Sequence, residues 1–268
     1  MNFLKAHSFG NDFIILNNPA IIPQKKLGEL AKKLCDRHTG IGADGILVVL
    51  PSLKADIQMK IINSDGSEAN MCGNGIRCFA KYIFEHDLIK KKKVTIETLA
   101  GIIKSELTLK ANTISSIKVD MGEPLFKTSN INRPINVLDK KYHITSMIMG
   151  TTHTIIFVDK LDQREITKIG ASLEKHKLFP QKTNVDFVKI INRSKIKLIT
   201  WERGVGLSLA CGTGACAATV AACLNSKTAR NVTVQMGMGD LLVEWHEDNM
   251  VHMTGPAPEN ICEGKILL

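Results

Sequence analysis

Ala210-Cys211-Gly212-Thr213-Gly214-Ala215-Cys216, running on through Ala217-Ala218-Thr219-Val220-Ala221-Ala222-Cys223-Leu224, is the stretch from which the fold is read. From Ala215 to Leu224 nearly every residue is small and apolar, and a helix without a polar face is one buried on all sides. Its opening recurs 139 positions earlier: Met71-Cys72-Gly73-Asn74-Gly75 leads into Ile76, Phe79, Ala80, Ile83 and Phe84 at helical spacing. The likeness spreads outward from both. Val94-Thr95-Ile96-Glu97 with Gly101, Ile102 and Ile103 matches Val232-Thr233-Val234-Gln235 with Gly239, Leu241 and Leu242. Upstream, Gly10-Asn11-Asp12-Phe13-Ile14-Ile15 parallels Gly150-Thr151-Thr152-His153-Thr154-Ile155, and Ala43-Asp44-Gly45 parallels Val185-Asp186-Phe187. A period this long is a duplicated domain rather than a solenoid.

Between the matched stretches, Ile57 to Ile62 and Lys195 to Trp201 alternate like half-buried strands. Each half thus reads as strands, a helix, strands, one long helix and a strand pair. The expected fold is α/β of the α+β type: two pseudo-symmetric domains, each a curved, mostly antiparallel sheet wrapped around a central buried helix. The expected division is 1–125 and 126–268, with 262–268 packing back on the first domain. Lys118 to Ser146, carrying Pro124 and Pro134, reads as the interdomain stretch.

The 268 residues lie near the length at which one core splits into two, and 44% hydrophobic residues suffice to fill both. No apolar run approaches the ~20 residues that span a bilayer, and Met1 to His7 is unlike a signal peptide. Seven cysteines in a chain too long to depend on disulfides fit a reducing compartment, so a cytoplasmic location without membrane attachment is expected. The net charge of +9 invites a nucleic-acid partner. However, its densest cluster, Lys90 to Lys93, reads as a solvated turn, and 5% aromatic residues offer little for base stacking, so none is expected.

Chemistry enters with the two Cys-Gly-x-Gly stretches. The first turn of a helix has unpaired N–H groups and about half a unit of positive potential. Glycine lets a carboxylate come close to them. The same potential lowers the pKa of a capping cysteine, so a thiolate near neutral pH is expected at each. A reaction that removes a proton from one face of a carbon and returns it on the other needs two acid/base groups, and two matched thiols supply them. Cys35, Cys78, Cys216, Cys223 and Cys262 read as ordinary thiols. Cys72-x5-Cys78 and Cys211-x4-Cys216 lack zinc-site spacing, so no metal is expected.

At these residues the chain resembles the diaminopimelate epimerase family over essentially its whole length. The resemblance rests on Phe9-Gly10-Asn11-Asp12-Phe13, Gly40-Ile41-Gly42-Ala43-Asp44-Gly45, Asn63-Ser64-Asp65-Gly66-Ser67-Glu68, Met71 to Cys78, Trp201-Glu202-Arg203-Gly204 and Ala210 to Cys216. It implies an isomerase that interconverts LL- and meso-diaminopimelate in lysine and peptidoglycan-precursor biosynthesis. It further implies a two-base thiolate/thiol mechanism with no cofactor and a homodimer. Cys72 and Cys211 take the acid/base positions; His153 and Glu202 match positions that assist the cysteines and the α-ammonium. Gly73, Asn74, Gly212 and Thr213 match those that hold the α-carboxylate. Asn11, Asn63, Asn184 and Arg203 match those that read the distal end of the substrate. Thr151 stands where the family commonly has a substrate-binding asparagine. A racemase of another amino acid in the same superfamily is the near alternative. A non-catalytic amino-acid-binding or thiol redox protein is the distant one; it accounts for the helix ends but not for a cysteine at both.

Overall fold

The structure, a computed structural model, describes residues 1–17 and 23–266. Two units are formed: Met1–Val119 with the returning segment that begins at Gly255, and Asp120–Thr254. In the first unit the order is β1 (Asn2–Ser8), β2 (Asn11–Leu16), α1 (Leu27–Cys35), β3 (Gly45–Leu50), β4 (Ile57–Asn63), β5 (Glu68–Ala69), α2 (Gly73–Glu85), β6 (Lys93–Thr98), β7 (Gly101–Lys110) and β8 (Thr113–Asp120). The second holds β9 (Arg133–Val137), β10 (Lys140–Met149), β11 (Thr151–Phe157), α3 (Gln163–Glu174), β12 (Asn184–Asn192), β13 (Lys195–Glu202), β14 (Gly206–Ser208), α4 (Gly212–Leu224), β15 (Asn231–Met236), β16 (Gly239–Trp245) and β17 (Val251–Pro256). β18 (Glu259–Lys265) then pairs antiparallel with β1.

The duplication is visible strand by strand. In the first unit β2 runs parallel to β3, β3 antiparallel to β4, and β4 parallel to β6. In the second, β11 is parallel to β12, β12 antiparallel to β13, and β13 parallel to β15. Each then ends in an antiparallel meander, β6-β7-β8 or β15-β16-β17. β18 does for β1 what β9 does for β10, which explains the unit boundaries. The division expected at 125/126 falls a few residues beyond Val119, and the return begins at Gly255 rather than at 262 because the chain must already be in place to pair Glu259 with His7. The stretch expected to link the domains instead builds β9 and β10 of the second unit, with Pro134 near the start of β9, opposite His143.

Register also corrects the upstream alignment of the repeat. Leu47 lies opposite Ile61 on the β3–β4 ladder, and Asp186 lies opposite Thr200 on the β12–β13 ladder. The offset that carries Cys72 onto Cys211 therefore carries Leu47, not Asp44, onto Asp186.

Each sheet is covered on one face by an amphipathic helix and on the other by the helix after the cysteine. Leu27, Ala31 and Leu34 of α1 pack on Ile14, Ile46, Val48 and Ile62. Ile166, Ile169 and Leu173 of α3 pack on Ile144, Ile156, Val185 and Phe187. Burial on both faces explains why β3 is an unbroken apolar run, Gly45-Ile46-Leu47-Val48-Val49-Leu50, with every residue buried. In α4 the residues from Gly214 to Ala222 are all buried, as its composition requires. Both central helices begin earlier than apolar spacing suggests, at Gly73 and Gly212, so the glycines form the first turn rather than precede it. Lys90 to Lys93 are exposed, with Lys90, Lys91 and Lys93 paired to Asp87, Asp56 and Glu106. Among the described residues, no helix is long and apolar enough to cross a membrane.

Candidate active site

Cys72 is the N-cap residue of α2, with extended backbone (φ −144°, ψ 115°), and its Sγ accepts a hydrogen bond from the Gly75 N–H at 3.4 Å. Cys211 caps α4 in the same way (φ −108°, ψ 109°), its Sγ accepting from the Gly214 N–H at 3.3 Å. In both units, then, sulfur takes the place of the usual hydroxyl or carboxylate cap at the positive end of a buried helix. The N–H groups of Gly73 and Asn74, and of Gly212 and Thr213, belong to that first turn, where no intrahelical acceptor exists.

Around Cys72 the partners are polar and partly open. Its thiol donates to Asn11 Oδ1 at 3.5 Å, and Asn11 Nδ2 donates to Asp44 Oδ2 at 2.7 Å, which fixes the amide's orientation. Asp44 and Asp12 share the Arg37 guanidinium, each at 2.8 Å. Burial pushes the Asp12 carboxyl up, but hydrogen bonds and charge from Arg37 and Lys5 outweigh it and hold the group below the ordinary range. Asn74 is buried, and its Oδ1 accepts from Arg77 at 2.7 Å, which ties its side chain to the next turn of α2. Arg77 is itself fully buried; it also donates to Ser8 Oγ and lies 5.3 Å from the centre of the Phe9 ring. Asn63 sits at the end of β4 with Nδ2 donating to Ser67 Oγ at 3.0 Å.

Around Cys211 the partners are buried. Thr213 Oγ1 lies 3.4 Å from Cys211 Sγ and 3.1 Å from His153 Nε2. The other imidazole nitrogen, His153 Nδ1, lies 2.7 Å from Asp186 Oδ2, and Thr200 Oγ1 donates to Asp186 Oδ1 at 2.7 Å. His153 and Asp186 are both fully buried. Asn184 brings Nδ2 to 3.4 Å from His153 Nε2 while its Oδ1 accepts from the Arg203 N–H at 2.8 Å. Arg203 is exposed, with Nη1 donating to Gln181 O at 2.9 Å, and Glu202 is half-buried beside it at the end of β13. Thr151 opens β11 just after Gly150, where a Cβ would lie 3.6 Å from the Thr213 methyl.

One expectation is overturned here. Cys211 was expected to carry a lowered pKa from the helix end. Instead burial pushes the thiol well above its ordinary value, and the negative charges of Glu202 and Asp186 push the same way. The Thr213 and Gly214 hydrogen bonds oppose them without prevailing. With only 7% of the residue exposed, loss of hydration outweighs a helix-end potential worth about 1 kcal/mol.

The expected site residues thus fall into two sets: Cys72, Asn11, Asn63, Gly73 and Asn74 in the first unit, and Cys211, His153, Asn184, Glu202, Arg203, Gly212, Thr213 and Thr151 in the second. Asp186, Thr200, Asp44, Arg37 and Arg77 hold these groups and were not anticipated in that role. For Asp186 the available signal was its alternation with Asn184 along one strand face; for Arg77 it was a lone charge on the apolar face of α2.

Comparison with known proteins gives a family. The family model described as diaminopimelate epimerase matches residues 3–127 and 145–258. A diaminopimelate epimerase of Caldanaerobacter subterraneus subsp. tengcongensis is 48% identical, with 99% of each chain covered. That of Carboxydothermus hydrogenoformans is 47% identical, with 100% of each covered. Solved structures with the same fold include a Bacillus anthracis phenazine biosynthesis protein of the PhzF family, at TM-score 0.76 and 18% identity, covering 100% of this chain and 99% of that one. A probable proline racemase from Agrobacterium radiobacter K84 follows at TM-score 0.75 and 15% identity, covering 100% and 93%. With both cysteine-capped helices inside the matched ranges and near-complete coverage of curated relatives, the chain belongs to the diaminopimelate epimerase family.

Proposed function

We propose that the protein interconverts LL- and meso-diaminopimelate by removing and returning one α-proton, with Cys72 and Cys211 as the two acid/base groups and no cofactor. The observation that carries this reading is the matched pair of helix caps, in which a cysteine Sγ accepts the Gly75 or Gly214 N–H. A binding protein needs the helix end but has no use for sulfur at both caps. Inversion needs one group to accept the proton as a thiolate and another to deliver one as a thiol, the roles exchanging with direction.

The main-chain N–H groups of Gly73, Asn74, Gly212 and Thr213 are assigned to the α-carboxylate. There they stabilise the charge that develops as the α-proton leaves, an effect of about 3–4 kcal/mol per well-placed donor. His153 and Glu202 are assigned to the thiols and the α-ammonium. Asn11, Asn63, Asn184 and Arg203 are assigned to the distal amino-acid end, where a guanidinium suits a carboxylate and amides can sort donor from acceptor. Thr151 contributes a single hydroxyl at a neighbouring position. A homodimer in the cytoplasm completes the proposal; seven cysteines in a chain too long to depend on disulfides suit a reducing compartment.

The test is proton NMR of LL-diaminopimelate in deuterated water with the purified, reduced protein. Loss of the α-proton signal together with growth of the meso isomer is the expected result. Absence of exchange in a sample whose thiols titrate as free would overturn the reading, and exchange only on other amino acids would move it to the racemase alternative.

A further inference from the structure

A buried carboxylate that the proposed reaction does not use lies three hydrogen bonds away from Cys211, through Thr213 and His153. Asp186 accepts from Thr200 Oγ1 through Oδ1 and faces His153 Nδ1 through Oδ2, and no part of it is exposed. The direction of the remaining bonds can be worked out from donors alone. The Arg203 N–H can only donate, so the Asn184 atom that receives it is the carbonyl oxygen, and Asn184 Nδ2 is turned toward His153 Nε2. Facing an amide N–H, Nε2 is an acceptor. The imidazole proton therefore sits on Nδ1, directed at Asp186, and the single lone pair on Nε2 is shared between the Asn184 amide at 3.4 Å and the nearer Thr213 hydroxyl at 3.1 Å.

From this we infer that Asp186 is a positioning residue: by holding the Nδ1 proton of His153 it keeps Nε2 ready to store the proton that Cys211 gives up. The inference rests on the proposed epimerase reading for its purpose but not for its geometry. In the transfer, the Cys211 S–H proton passes to Thr213 Oγ1 as the Thr213 hydroxyl proton passes to His153 Nε2. One S–H bond and one O–H bond break; one O–H and one N–H bond form. The array then holds a thiolate, an imidazolium and the Asp186 carboxylate in place of a thiol, a neutral imidazole and the same carboxylate. Its net charge is unchanged, so no uncompensated charge is created in a buried place. A thiol that burial and neighbouring charge keep protonated can thus still be ionised, provided its proton stays nearby. The titratable groups that bear on Cys211 in this unit are His153 on β11, Asp186 on β12 and Glu202 on β13.

The experiment measures the rate at which iodoacetamide labels Cys211 between about pH 6 and pH 10, read from the Cys211 peptide by mass spectrometry in the full-length protein. The two possible roles of Asp186 have opposite signs. As a bare neighbouring charge it disfavours the thiolate, so Asp186→Asn would speed labelling. As the group that supports proton storage it favours the thiolate, and Asp186→Asn presents an amide that turns His153 to the other tautomer. Labelling near pH 7.5 should then slow by about tenfold or more, the size of one lost charge-assisted hydrogen bond. Thr213→Val should slow it likewise, while Thr213→Ser, which keeps the hydroxyl, should restore it to within about threefold of the parent. Circular dichroism confirms that each variant is folded; should Asp186→Asn not fold, the Thr213 pair alone decides. Faster labelling in Asp186→Asn, or equal rates in Thr213→Val and Thr213→Ser, would overturn the inference. Failure of the epimerase reading appears instead as no α-proton exchange by the parent protein, a separate measurement.

Discussion

The two units carry the same ladder and the same cysteine-capped helix, yet they put their charge in different places. In the first, the ground against Gly75 is apolar: a Cβ there would lie 3.4 Å from Leu47 and 3.6 Å from Phe13. In the second, the matching ground against Gly214 is polar: a Cβ would lie 2.5 Å from Asp186 Oδ1 and 2.9 Å from Thr200 Oγ1. At the strand ends the order is reversed. Asp12 and Asp44, adjacent on β2 and at the entry to β3, form a charged and partly exposed cluster with Arg37. Thr152 and Thr183, at the matching places, are joined by a hydroxyl that donates to a carbonyl at 3.3 Å. Duplication kept the backbone and the sulfur; divergence put a carboxylate cluster at the strand ends in one unit and a carboxylate beneath the helix in the other. Two thiols in one chain thereby acquire unlike surroundings.

The strongest test of the comparison asks whether the two thiols are nevertheless both required. Cys72→Ala and Cys211→Ala should each lower epimerisation of diaminopimelate by at least about 10³-fold, since each removes an acid/base group that the proposal cannot replace. Steady-state rates in both directions measure this. Substantial turnover by either variant would break the equivalence at the point where the sequence asserts it most strongly.

The unlike ground beneath the helices predicts a smaller difference in stability. Gly75→Ala places a methyl at ordinary contact distance in a helical turn, where alanine is favoured over glycine by up to about 1 kcal/mol, so stability should be unchanged or slightly raised. Gly214→Ala drives the same methyl into two fully or nearly buried oxygens on β12 and β13, and should cost about 2 kcal/mol or more. Urea denaturation of the pair checks the sign of the difference. Equal effects would mean that the polar ground yields as readily as the apolar one.

This contrast also marks how far the chain could be read without coordinates. The repeat, the two buried helices and the capping cysteines were legible because glycine, cysteine and apolar period are local signals, and they recur at one offset. The upstream register was not. Matching Asp44 to Asp186 by residue type is the natural alignment, but pairing of Leu47 with Ile61 and of Asp186 with Thr200 shows that like residues occupy unlike places. A carboxylate placed by tertiary structure leaves no local trace of its partner, and His153 and Asp186 lie on different strands. The same limit blurred the start of the chain's return to the first unit, expected at 262 and found by Glu259, since strand pairing across the length of the chain is a property of the fold. The state of Cys211 departs from expectation for a related reason: helix-end potential is visible in sequence, but depth of burial is not.

The last prediction concerns the outward charge of the first unit and is the smallest. Asp12 titrates below its ordinary value in the folded protein because Arg37 and Lys5 overcome its burial. The folded state therefore binds fewer protons than the unfolded chain as the pH falls through the ordinary value of 3.8. The stabilisation is complete above that value and is lost below it, as the carboxyl protonates in both states. Arg37 is 55% exposed, so solvent screens the pair, and Arg37→Ala should cost less than about 1 kcal/mol near pH 6. Parent and variant should then converge as the pH falls well below 3.8. Urea denaturation at the two pH values measures the difference, and high salt should shrink it at the upper one. A difference that persists at the lower pH would assign Arg37 a packing role through its methylene stem. The charged strand end would then stabilise the first unit by contact rather than by charge.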